Sequence, residues 1–132
     1  MTVESLDHIN IVTRDLDRAE AFYRDLLALE ERAAPPPLTH ATARWMHDSG
    51  GRAVLHLNGL DAPRLFDRDM AAGPTGALHH VAFRCAGHGD VLARIAAMGL
   101  DHRLNDVAAA GLRQIFVTDP DGVLLELNFF GG

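Results

Sequence analysis

Four residues of this 132-residue chain set metal-ligating or proton-moving side chains in apolar, strand-like surroundings: His8, His56, His80 and Glu126. His8 stands in Leu6-Asp7-His8-Ile9 and His80 in Leu78-His79-His80-Val81, 72 positions later. His56 stands in Val54-Leu55-His56-Leu57-Asn58 and Glu126 in Leu124-Leu125-Glu126-Leu127-Asn128, 70 positions later. Two matches at nearly one offset mark an internal duplication of a supersecondary module. A single strand histidine is ordinarily a hydrogen-bonded core residue, and a single strand glutamate is ordinarily solvated. An unpaired polar group in an apolar strand is costly to desolvate, so four of them at equivalent positions suggest a shared purpose. Strand alternation puts His8 with Asn10, His56 with Val54 and Asn58, His80 with Ala82 and Arg84, and Glu126 with Leu124 and Asn128. The opposite faces are mostly apolar. If the two copies pair with pseudo-symmetry, the four centres converge. Three imidazoles and a carboxylate suit a borderline divalent ion such as Zn, Ni, Fe, Co or Mn. Magnesium or calcium would want more oxygen ligands.

The elements that must position these groups follow from periodicity. Leu6 to Val12 is β-branched and reads as a strand. From Asp15 to Leu29 the period changes, with Leu16, Ala19, Phe22, Tyr23, Leu26 and Leu27 at helical spacing and Asp15 or Asp17 as the cap. Pro35-Pro36-Pro37 breaks any continuation. Ala41–His47 and Arg52–Asn58 read as strands around the turn Asp48-Ser49-Gly50-Gly51. Residues 59–76, rich in Gly, Pro, Asp and Arg, read as a connection with room for one helical turn. Leu78–Cys85 is again a strand, His88–Met98 a helix stopped at Gly99, and Gly111–Thr118 a strand. After the turn Asp119-Pro120-Asp121-Gly122, Val123–Phe130 is the last strand. The order is β-α-β-β(-β), linker, β-α-β-β(-β): an α+β chain with modules at 1–60 and 77–132 and a linker at 61–76.

Composition narrows the function classes. Apolar residues make up 48% and charged residues 23%, a globular balance sized for one domain overall. No apolar run approaches the ~20 residues of a membrane helix. The first residues carry neither positive charge nor an apolar stretch, so a secretory leader is not expected. Cys85 is the single cysteine, which excludes an intrachain disulfide framework and fits a reducing, cytoplasmic compartment. The net charge is −6 and all twelve basic residues are arginine. With no lysine, Schiff-base and P-loop lysine chemistry are excluded. With no basic stripe, a nucleic-acid partner is not expected, nor is a membrane.

Leu6-Asp7-His8-Ile9, followed by a helix ending Phe22-Tyr23-Arg24-Asp25-Leu26-Leu27, resembles the opening of the vicinal oxygen chelate superfamily, the glyoxalase, bleomycin-resistance and extradiol-dioxygenase group. His79-His80-Val81-Ala82-Phe83 resembles its second-module opening. Asp119-Pro120-Asp121-Gly122-Val123-Leu124-Leu125-Glu126-Leu127 resembles its closing strand. The match runs from about residue 5 to 130. The resemblance implies paired βαβββ modules curling into an open barrel around one divalent transition metal per site, held by His8, His56, His80 and Glu126. It also implies a homodimer whose sites draw on two chains. His56 departs from the pattern, since bacterial glyoxalase I carries a carboxylate there and methylmalonyl-CoA epimerase a glutamine. Glu126 is then the one carboxylate left to move a proton.

The leading expectation is glyoxalase I-like lyase or isomerase chemistry on a small vicinal-oxygen metabolite with a metal-polarised carbonyl or enediolate. An extradiol-type dioxygenase holding Fe(II) through His8, His80 and Glu126 is the runner-up. A metal-free, bleomycin-resistance-like binding protein is the third reading, and it leaves the four polar positions without a purpose. Weaker substrate-binding candidates are Arg84, on the His80 face, Arg113 and Gln114 on the penultimate strand, and His47 beside Trp45-Met46. Arg84 has a bland alternative as a surface ion pair and His47 as an exposed strand end; one of Arg113 and Gln114 should face the cavity, and Gln114, alternating with Leu112 and Phe116, fits either face. His40, His79, His88 and His102 read as surface or loop residues. Cys85 reads as core-facing and inert. Loops 30–40 and 59–76, which would choose the substrate, carry no readable motif.

Overall fold

The computed structural model describes residues 2–62 and 77–131. Its elements are β1 (Ile9–Thr13), α1 (Leu16–Leu27), β2 (Glu30–Arg32), β3 (Ala43–His47), β4 (Ala53–Gly59), β5 (Val81–Cys85), α2 (His88–Met98), β6 (Arg103–Val107), a 3₁₀ turn at Ala108–Ala110, β7 (Leu112–Thr118) and β8 (Leu124–Phe130). They form two four-stranded mixed sheets of order β1-β4-β3-β2 and β5-β8-β7-β6. The first and last strand of each copy run parallel, connected through the helix and the two intervening strands, and the remaining neighbours are antiparallel. This is an α+β chain of two βαβββ modules. One compact unit holds β1–β4 and the body of α1, the other β5–β8 with α2.

The duplication extends to register. Asn10 lies opposite His56, and Ala82 lies opposite Glu126. The centres of both modules therefore occupy the same lattice point of the same pleat. On β8 the alternation is clean: Leu125, Leu127 and Phe129 are buried, while Glu126 and Asn128 are half-buried on the other face. On β4, Leu55 and Leu57 are fully buried, and His56 between them is only 8% exposed because it is covered on its own face as well.

Helix α1 begins where the Asp15 carboxylate accepts from the Arg18 amide at 3.0 Å, satisfying one of the helix's orphan donors. It buries Ala19, Phe22, Tyr23 and Leu26. The sequence pattern predicts continuation to Leu29, but the helix stops at Leu27 because Ala28 turns left-handed (φ 56). The Ala28 amide then donates to Arg24 O and the Leu29 amide to Tyr23 O, a closure usually given to glycine. In α2 the equivalent of Asp15 is Gly87, at φ 81, and it contributes no side-chain cap.

Two strands carry no periodic signal. β2 is three residues, Glu30-Glu31-Arg32, and β6 is an edge strand exposed at every position. With no face buried, neither strand needs apolar alternation. Most of the expected linker, residues 63–76, lies outside the described residues. Among the described residues, no helix is long and apolar enough to cross a membrane.

Candidate metal centre

In the first module, His56 lies across the sheet from Trp45. The indole stacks on the imidazole at 3.8 Å between centroids and 10° between planes. His8 covers the other ring face at 3.7 Å and 11°. Burial, and then the neighbouring His8, push His56 down to about 4, so near neutral pH its imidazole is uncharged and keeps a lone pair. His8 precedes β1 and is 36% exposed. Its Nδ1–H donates to Asp7 Oδ2 at 2.6 Å. A carboxylate only accepts, so this bond fixes the tautomer and leaves Nε2 as the free donor atom. The same bond holds the Asp7 carboxyl below its usual range.

In the second module, His80 Nε2 stands 3.4 Å from Glu126 Oε1. His80 is 36% exposed, Glu126 16%. The His80 and His79 Nδ1 atoms are 2.9 Å apart, so a neighbouring imidazole takes the orienting place that Asp7 holds beside His8. The expected desolvation penalty therefore applies to His56 and Glu126. It does not apply to His8 and His80, which stand just outside their strands with water at hand.

The donor chemistry fits a divalent transition ion. Two atoms each about 2.1 Å from one ion at a tetrahedral angle lie roughly 3.4 Å apart, the separation His80 and Glu126 already have. The stacked pair fits only after a change. A histidine binds metal in its ring plane, and two nearly parallel planes 3.7 Å apart do not meet within bonding reach. His56 is fixed between two rings, so the exposed His8 ring is the one that must turn. The structure brings together His8 with His56 and His80 with Glu126. The two pairs belong to different compact units.

The remaining expected residues have local partners. The Arg84 guanidinium lies 4.3 Å over the Phe130 ring. Arg113 is exposed, 3.9 Å from Asp106. His47 Nδ1 lies 3.2 Å from Trp45 O. The Gln114 amide is bound at both ends, to Asn105 and Asn128. His40, His79 and His102 are exposed, but His88 is half-buried, edge-on to Phe129 at 5.1 Å. Cys85 is half-buried, and burial raises its thiol to about 11. The sequence reading missed Trp45, Asp7 and Asn128 as partners of the site. Asp7 adjoins His8, and Asn128 alternates with Glu126. Trp45 had no signal, because cross-strand register is not visible in a single strand.

Glu20, Glu31 and His40 form a separate cluster with ligand atoms within 4.8 Å of one another. Both oxygens of Glu20 already face guanidinium groups, Arg44 and Arg24, each at 3.3 Å, so this cluster is an ion-pair network. A polar cleft of about 320 Å³ opens at the carboxyl ends of β1 and β4, beside Arg14, Asp15 and Arg44. None of the expected site residues lines it.

A family model for the Glyoxalase/Bleomycin resistance protein/Dioxygenase superfamily matches residues 5–127. The chain belongs to this superfamily. A curated relative, Glyoxylase I 4 of Arabidopsis thaliana, is 28% identical over 125 residues, which cover 93% of this chain and 69% of that protein. Among solved structures, a glyoxalase/dioxygenase from Nostoc punctiforme superposes with a TM-score of 0.75 at 19% identity, covering 98% of this chain and 92% of that one. The fosfomycin resistance protein FosX from Listeria monocytogenes gives 0.69 at 20%, covering 98% and 96%. Lactoylglutathione lyase from Agrobacterium tumefaciens gives 0.64 at 18%, covering 98% and 96%. At such identities the structural likeness shows the superfamily fold alone.

Proposed function

We propose that this superfamily member is a divalent-metal-dependent enzyme of the glyoxalase I type, a lyase or isomerase acting on a small metabolite with vicinal oxygens. His8, His56, His80 and Glu126 are its ligands, and Zn, Ni, Co, Mn or Fe its metal. The observation that carries the reading is the His80–Glu126 pair, whose donor atoms stand 3.4 Å apart on the polar face of a closing strand. When bound, the metal would supply Lewis acidity toward a substrate carbonyl. Glu126 is the one carboxylate of the four and would be the base: released when substrate displaces it from the metal, it would take a proton from one carbon and return it to the next. His56, neutral and clamped, is a ligand and not a proton carrier near neutral pH. The relative from Arabidopsis supports a glyoxalase I-like activity. The same reading takes a homodimer in the cytoplasm as the working form.

A second reading rests on the ring stack. With His56 held between Trp45 and His8 as a structural group, His8, His80 and Glu126 alone make the two-histidine, one-carboxylate set of Fe(II) oxygenases.

The test is elemental analysis of protein purified without a tag or added metal, followed by assays on thiol adducts, acyl-CoA esters and catechols. About one Zn, Ni, Co or Mn per chain, with anaerobic proton exchange into a substrate that Glu126→Gln abolishes, is the expected result. One iron with oxygen uptake on a catechol selects the second reading. No metal, and none taken up on addition, leaves a small-molecule binding protein of the bleomycin-resistance kind.

A further inference from the structure

A continuous chain of side-chain hydrogen bonds crosses three strands of the second sheet and ends on Glu126. Asn105 on β6 donates from Nδ2 to Gln114 Oε1 on β7 at 2.7 Å. Gln114 Nε2 donates to Asn128 Oδ1 on β8 at 3.1 Å. Asn128 Nδ2 donates to Glu126 Oε2 at 2.8 Å. Register explains the alignment. Asn105 lies opposite Gln114 and Gln114 opposite Asn128, so the three amides form one cross-strand row. Glu126 is two residues from Asn128 and shares its face.

The direction of the chain follows from its end. An ionised carboxylate accepts and never donates, so Asn128 must turn its NH2 group to Glu126. Its oxygen then faces Gln114, which must answer with NH2, and the oxygen of Gln114 in turn faces the NH2 of Asn105. Each link polarises the next toward the carboxylate, and the last bond is charge-assisted. One oxygen of Glu126 is thereby occupied. The other, Oε1, is the atom that faces His80 Nε2.

We propose that Asn128, backed by Gln114 and Asn105, is a positioning residue for Glu126. The amide row holds Oε2 and presents Oε1 alone, so Glu126 binds a divalent cation through one oxygen beside His80. Gln114 thus acts through Glu126 and does not touch substrate. Among the described residues the first module shows no counterpart: Asn58, the equivalent of Asn128, lies opposite Ala43, which has no side-chain amide to continue a row. The inference rests on the metal reading above and adds how the carboxylate is held.

Asn128→Leu and Gln114→Met are near-isosteric and break the row at successive links. Zinc affinity is measured against a chromophoric chelator, and the Co(II) complex by its visible spectrum. Outer partners of ligating groups are typically worth 10–100-fold in affinity. Asn128→Leu is therefore expected to bind zinc about 10–100-fold more weakly, and Gln114→Met to shift in the same direction by less. Freeing Oε2 lets the carboxylate chelate with both oxygens, which changes the Co(II) absorption bands. A purely structural row would lower the melting temperature without moving that spectrum. Should Asn128→Leu fail to fold, Gln114→Met decides. Parent affinity and an unchanged Co(II) spectrum in the folded variants, with metal lost in Glu126→Ala, overturns the inference and leaves the ligand assignment standing. Parent affinity in Glu126→Ala itself overturns the ligand assignment, and the inference with it.

Discussion

His56 and Glu126 occupy the same position in duplicated modules, yet opposite kinds of force hold them. His56 is held through its ring faces by Trp45 on one side and His8 on the other. Glu126 is held at its edge, by Asn128 on one oxygen with His80 facing the second. In both modules the residue across the antiparallel partner strand is aromatic, Trp45 in one and Phe116 in the other. A neutral imidazole is stable between apolar rings, and an ionised carboxylate demands donors. Changing one residue type between the copies therefore requires a different set of neighbours, even though backbone and register stay the same. Stacking fixes a ring's plane and leaves rotation within it. A directed row of hydrogen bonds fixes which atom faces outward.

A difference in packing between the two modules would show most strongly in the core. Leu57 and Leu127 are equivalent and fully buried. Truncating either to alanine should cost about 2–5 kcal/mol in chemical denaturation. A cost under about 1 kcal/mol at one of them would mean that its sheet face is not a packed core. The orienting partners sharpen the contrast next. Asp7→Asn replaces a charge-assisted bond to His8 and should weaken zinc binding about 10–100-fold. His79→Ala removes an imidazole, where Asp7 offers a carboxylate, and should cost less, because charge-assisted bonds are roughly twice as strong. Titrations followed by the emission of Trp45, the single tryptophan, compare the two. An equal or larger loss in His79→Ala would contradict the roles given to the two neighbours.

The duplication, the four ligand candidates and both helices are legible in the sequence because burial writes a period into it. Ile11, Leu55, Leu57, Leu125 and Leu127 must face a core, and the polar residues between them stand out against that pattern. β2 and β6 wrote no such period: Glu30-Glu31-Arg32 and the wholly exposed Arg103–Val107 are ordered by backbone pairing to β3 and β7. The end of α1 was missed for a related reason, since Ala28 takes a left-handed conformation that its side chain does not advertise. Gln114 was ambiguous because alternation alone gives a strand two faces without saying which one carries partners. Its hydrogen-bond partners are Asn105 and Asn128, nine and fourteen residues away, and only register brings them together.

The smallest contrast lies at the carboxyl ends of β1 and β5. Thr13 there is buried, and its hydroxyl accepts from the Asp15 amide at 3.2 Å, tying the strand to the start of α1. Cys85 holds the equivalent place, with its thiol 3.8 Å from Phe83 O. Burial raises that thiol from 9.0 to about 11, so the folded chain favours the protonated form. Its contribution to stability is whole below pH 9 and falls away as pH rises toward 11, where the unfolded chain has already released the proton. Alkylation by iodoacetamide should accordingly be slow at pH 8, since the thiolate is the nucleophile, and should accelerate toward pH 11. In Cys85→Ala the part of the alkaline loss of stability that belongs to this thiol should vanish. A Cys85 that alkylates at pH 8 as fast as a free thiol would show that this strand end is open to water, unlike the one at Thr13.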